Sequence, residues 1–66
     1  MDTRTVSRRL ISLRGAKTRE EVAKDLGISN SALAMYENAH RVPRDDIKVR
    51  LAEYYGSSVG AIFFGE

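Results

Sequence analysis

Between Arg19 and Asn38 the sequence REEVAKDLGISNSALAMYEN leaves the backbone little choice of path. Val22, Ala23 and Leu26 fall at helical spacing and are followed at once by Gly27; Leu33 and Tyr36 then mark a second helical stripe. A glycine at the exit of a helix takes a positive φ without steric cost, so Gly27 fits a sharp turn. Ala23 is small enough for the second helix to cross the first closely at that point. Ile28, in the turn itself, is apolar and belongs with the facing surfaces. These residues specify two short helices crossing at a tight corner, and that pair constrains the rest of the fold.

The remainder of the chain has to complete a core around this corner. With 66 residues, 42% hydrophobic and 30% charged, the sequence suffices for one small domain over 1–66. It has no cysteine and a single histidine, so no disulfide framework and no metal ligand set is expected. Stability must come from helix packing, helped by dimerisation if the protein associates. The apolar runs, such as 60–65, are too short to span a bilayer, and no secretory segment follows Met1. A soluble protein of the cell interior is the expectation. The net charge is only +2, with a sequence pI near 9.3, so any reading as a polyanion binder depends on where the cations sit.

Five helices and no strand are predicted. The first runs from Thr3 or Thr5 to Arg14, with Val6, Leu10 and Leu13 repeating at i, i+4 and i+7 and Ile11 beside them; Gly15 ends it. Thr18 N-caps the second helix, with Glu21 three residues later as the other half of a capping box. Ser29 caps the third, which stops between Asn38 and His40, before Pro43. The fourth begins near Arg44 or Asp45, turns Ile47, Leu51, Ala52 and Tyr55 inward and ends at Gly56. Ser57 or Ser58 opens a short last helix holding Val59, Ile62 and Phe63. The fold class is all-α.

The segment TREEVAKDLGISNSALAMYENAHRVP, followed by a helix and a GSSVGAIFF tail, resembles the Cro/repressor-type (Xre-like) helix-turn-helix family over roughly Val6 to Phe64. The resemblance implies a compact, lambda-repressor-like five-helix domain that binds double-stranded DNA, with helix three in the major groove and helix two bracing it. The small size is similar to the Cro-like regulators of temperate phages, and to phage modulator-of-repression proteins that act with a separate repressor. A bacterial cytoplasm is the implied setting. Four departures stand out. Arg19 replaces the usual glutamine that opens helix two, and an arginine can still contact phosphate. The link 15–17 is about two residues shorter than the family norm. Ala39 stands where a glycine usually follows helix three. Gly60, inside the last helix, weakens it by about 1 kcal/mol relative to alanine.

On this reading the first turns of helix three face the bases. Asn30 can pair bidentately with the N6 and N7 edge of adenine, worth about 1–3 kcal/mol of discrimination. Ser31 can donate or accept, and Ala34 and Met35 can touch a thymine methyl. From Ser29 to Asn38 there is no Lys or Arg, so the arginine–guanine contact is unavailable from this helix. Lys17 and Arg19 before it, and His40, Arg41 and Arg44 after it, suit phosphate contacts, together with Ser29 and Asn38. Each position also has a plainer reading: Asn30 as a solvated helix residue, Ser29 as a cap, the cations as solvated loop charges. Glu37 pairs with Arg14 by resemblance, and would hold helix three rather than touch DNA. In the tail, Phe63 is expected in the core and Phe64 outside. With Tyr55 and Ile62, Phe64 would form an association patch for a two-fold homodimer on DNA or for a partner repressor. Two functions follow: a sequence-specific transcriptional regulator, acting as a repressor, or an interaction module that modulates a partner repressor and has little DNA affinity alone. No catalytic pairing, phosphate cradle or cofactor motif points to an enzyme.

Overall fold

A computed structural model of the chain describes residues 2–65. Four α-helices follow one another, α1 (Thr3–Arg14), α2 (Arg19–Leu26), α3 (Asn30–Glu37) and α4 (Asp45–Tyr54), and a π-helical turn (Gly60–Phe64) closes the described chain. No strand occurs among the described residues. The all-α class, the order of the elements and the corner at Gly27 agree with the sequence reading.

Local chemistry sets most of the boundaries. The α1 cap is Asp2, whose carboxylate accepts from the backbone N–H groups of Arg4 and Thr5 and from the Thr5 hydroxyl. These hydrogen bonds hold the Asp2 carboxyl below its ordinary range, that from Thr5 Oγ1 most of all. Thr18 Oγ1 accepts from Glu21 N at 3.1 Å, one arm of the expected capping box. Ser29 Oγ accepts from Ala32 N at 3.0 Å, and Ser58 Oγ from Ala61 N at 3.0 Å, so Ser58 rather than Ser57 opens the last turn. That turn is π-helical where an ordinary helix was expected, and Gly60 is its first residue.

Three helix ends close in the same way. After α2, Gly27 N bonds Lys24 O and Ile28 N bonds Ala23 O; after α4, Gly56 N bonds Glu53 O and Ser57 N bonds Ala52 O. After α3, Ala39 N bonds Tyr36 O at 3.4 Å and His40 N bonds Met35 O at 2.9 Å. Each closure needs a residue with positive φ, and these are Gly27 (69°), Gly56 (66°) and Ala39 (61°). Ala39 is the non-glycine among them, and its Cβ makes the left-handed conformation unfavourable.

The core draws on every element. Leu10, Val22, Leu33 and Leu51 have no exposed surface, and Phe63 is 1% exposed, as its expected core position requires. The first helix lies differently from its predicted stripe. Val6, Ser7 and Leu10 face inward, while Leu13 (39%) and Ile11 (43%) remain exposed. The inward stripe is 6, 7, 10 and 14 because Ser7 Oγ donates to Glu37 O and Arg14 reaches Glu37, which turns Leu13 off the core. Lys48 is buried as well. Its ammonium lies 5.9 Å from the Phe63 ring centroid and 5.3 Å from that of Phe64, with Asp45 at 3.5 Å. Arg50 donates to Leu26 O, one of the carbonyls left open at the end of α2.

Ala39→Gly should stabilise the domain. Relief of the Cβ strain, about 1–2 kcal/mol, exceeds the entropy a glycine adds to the unfolded chain, about 0.5–1 kcal/mol. A rise in urea midpoint equivalent to about 0.5–1 kcal/mol is expected, and an unchanged or lower midpoint would contradict the strain at this position.

Candidate functional site

Helix α3 buries one face and presents the other. Leu33, Tyr36 and Glu37 point inward. Asn30, Ser31, Met35 and Asn38 are exposed and Ala34 is half-buried, so positions 30, 31, 34, 35 and 38 form one outer face. The Ser29 hydroxyl accepts from Ala32 N and keeps its own proton free to donate. The face is amide, hydroxyl and thioether in character, with no charged group on it.

What fixes α3 is its last residue. The Glu37 side chain has no exposed surface, and each of its oxygens receives one guanidinium nitrogen: Arg14 Nε on Oε2 at 2.8 Å and Arg19 Nε on Oε1 at 2.8 Å. The backbone carbonyl of Glu37 accepts from Ser7 Oγ. Thus α1 supplies Ser7 and Arg14, and α2 supplies Arg19 from its first position. Arg14 Nη1 also donates to Lys17 O at 2.8 Å, which ties the short α1–α2 link to the same carboxylate. The hydrogen bond to Glu37 raises the Arg14 guanidinium above its ordinary value. The Arg14–Glu37 pair agrees with what the resemblance implied. The second partner, Arg19, was not expected there: eighteen residues separate it from Glu37, and no local pattern marks such a pair.

Tyr55 borders this cluster. Its hydroxyl is buried without a partner among the described residues. Burial, and next the negative charge of Glu37, push the phenol up to about 12. The surroundings of Glu37 are therefore poorly solvated, a condition in which pairing of the carboxylate is worth most.

The other cations differ in how they are held. Lys17 Nζ donates to Tyr54 Oη at 3.0 Å and stands 4.9 Å from that ring's centroid, while Tyr54 Oη donates to Asp25 at 2.6 Å. The bond to Tyr54 raises the Lys17 ammonium above its ordinary value. Lys17 is thus engaged on the α2–α4 side. Arg41 and Arg44 are exposed and line a cleft of about 280 Å³ with Tyr36 and Val42, just past the end of α3. Arg44 meets Asp46 only at 3.8 Å, with both side chains mostly in solvent, a contact worth little. His40 is exposed in the same loop.

The tail patch needs a correction. Ile62 is 1% exposed and is a core residue, because the π-helical turn directs it with Phe63 onto α1. Arg9 Nη1 donates to Ile62 O at 2.9 Å and holds the turn there. Tyr55 is half-buried, and Phe64, at 56% exposure, is the open aromatic of the three. Among the described residues no group of three or more His, Asp or Glu side chains is placed to hold a metal ion, and no helix is long and apolar enough to cross a membrane.

Compared with known families, residues 10–62 match the model of the family described as Helix-turn-helix. No curated protein and no solved structure matches the chain.

The Glu37 cluster predicts a specific sensitivity. Glu37→Gln keeps the volume but removes the charge that two guanidinium groups share, and should destabilise the domain by about 1–3 kcal/mol. Chemical denaturation monitored by circular dichroism reads this, and a midpoint equal to that of the wild type would show that the cluster is energetically idle.

Proposed function

The chain belongs to the Cro/repressor-type (Xre-like) helix-turn-helix family, a family of DNA-binding transcriptional regulators, and we propose that it is a sequence-specific repressor of the phage genetic-switch kind that acts by occupying promoter DNA. The observation that carries this reading is the outer face of α3, where Asn30, Ser31, Ala34 and Met35 lie side by side on the helix that ends in Glu37. Helix α3 enters the major groove with Asn30 on an adenine edge and Met35 and Ala34 against thymine methyls; Ser31 makes the less selective contact. Arg41 and Arg44 on one side, and Arg19 and Lys17 on the other, take phosphates; the Ser29 hydroxyl and the Asn38 amide complete the backbone set. Lys17 leaves Tyr54 to do so. Two copies bind a pseudo-palindrome, with Phe64 at the contact between them.

A second reading draws on two features. With no cation on the face of α3, its affinity for DNA rests on the flanking loops alone, and Phe64 offers an apolar anchor beyond it. In that reading the protein modulates a partner repressor that supplies most of the affinity.

Fluorescence anisotropy on duplexes from the promoter next to its own gene, against random competitor at two salt concentrations, separates the two. The first reading expects one segment to survive competition and log K to fall steeply with log salt. Asn30→Ala should then cost about 1–3 kcal/mol of discrimination at one base pair. Arg41→Gln should weaken all sequences alike and flatten the salt slope by about 1. Weak binding that ignores sequence would sink the first reading in favour of the second. Phe64→Ala should abolish dimerisation in sedimentation experiments, and a variant that still dimerises would remove the tail contact.

A further inference from the structure

We infer that Glu37 is a positioning residue for DNA: it grips Arg19 by Nε so that the other edge of the guanidinium is held out as a preformed phosphate fork. The inference rests on the DNA-binding reading above and extends it to a residue that touches no DNA.

The argument starts from charge. Glu37 carries one negative charge, and Arg14 and Arg19 bring two positive charges to it, so the cluster keeps one positive charge after pairing. Arg14 cannot be the free partner. Its side chain is 18% exposed, and besides Glu37 it serves the Lys17 carbonyl through Nη1. Arg19 is 39% exposed, and Nε is the donor it gives to Glu37. A guanidinium carries five N–H donors in a rigid plane. When Nε–H is fixed on a buried carboxylate, the plane is oriented, and the Nη1–Nη2 edge at its far end projects outward. That edge has the spacing that matches two oxygens of a phosphate. Arg19 is also the first residue of α2, beside the α3 terminus that the same carboxylate holds. One buried group therefore fixes the reading helix and the backbone contact in a single frame, and Arg19 loses less rotamer freedom when it meets the phosphate.

The competing geometry is that DNA pulls Arg19 away from Glu37. The two differ in the Arg19 Nε–H proton. In NMR spectra selective for arginine Nε–H groups, the Arg19 signal should be protected from exchange in the free protein and should stay so when a duplex is added, while its Nη signals shift. Loss of the Nε–H signal to solvent exchange on DNA binding would overturn the proposal. Arg19→Lys keeps the charge but lacks the fork: affinity should fall about tenfold with the salt slope unchanged. Arg19→Gln should flatten that slope by about 1 as well. Glu37→Gln, assayed at a temperature where it stays folded, should weaken the wild type more than it weakens the Arg19→Lys variant, and an equal loss in both would overturn the grip on Arg19. Equal affinity of Arg19→Lys and wild type overturns the fork alone. Absence of salt-dependent duplex binding by the wild type overturns the DNA-binding reading on which it rests.

Discussion

A carboxylate without solvent contact needs compensation, and Glu37 obtains it from two helices at once. Removing one partner of a buried ion pair typically costs about 3–5 kcal/mol, yet replacing a whole pair by apolar groups is often neutral. The value of this cluster thus lies less in net stability than in where it puts things. Ser7 and Arg14 fix the end of α3 against α1, and Arg19 fixes it against the start of α2. An apolar contact of the same size would let α3 slide or rotate by a few degrees. Charge-assisted bonds at 2.8 Å, one to each oxygen, do not tolerate that. The outer face of α3 inherits its orientation from this end.

The loops around α3 are governed by a different constraint. Its C-terminus closes with the same pair of backbone bonds as α2 and α4, although an alanine stands where the other two have glycine. The backbone pattern wins over the side-chain preference because two hydrogen bonds and the burial of Tyr36 outweigh a steric penalty of about 1–2 kcal/mol. The closure also sets the path from His40 to Arg44, and so the place of the two exposed arginines. At the other end, Arg50 crowds the Gly27 turn: a Cβ there would come within 3.3 Å of its guanidinium.

How much of this the sequence disclosed depended on the range of each interaction. The caps at Thr18 and Ser29, the left-handed exit at Gly27 and the inward set on α2 and α3 were legible, because each is decided within a few residues. The outer face of α3 was legible by helical spacing alone. The turn of α1 was not. A hydrophobic count favours 6, 10 and 13, whereas Ser7 and Arg14 are drawn in by a residue more than twenty positions away. The burial of Lys48 beneath two phenylalanine rings and the docking of Arg50 on the end of α2 are likewise long-range events. Ile62 was assigned to the exposed patch because so small a domain was not expected to bury Val59, Ile62, Phe63 and Phe64 on one face, yet Ile62 and Phe63 both lie in the core. The start of α1 at Thr3 was legible, and the short Asp2 carboxylate just before it supplies the cap.

The core runs from Val6, near the start of the chain, to Phe63, near its end, and α1 packs directly on the last turn. Arg9 on α1 and the Ile62 carbonyl are joined across 53 positions. The first and last described elements thus wall one core together. Cutting the chain before the π-helical turn would strip Ile62 and Phe63 from α1 and open that wall of the core to water.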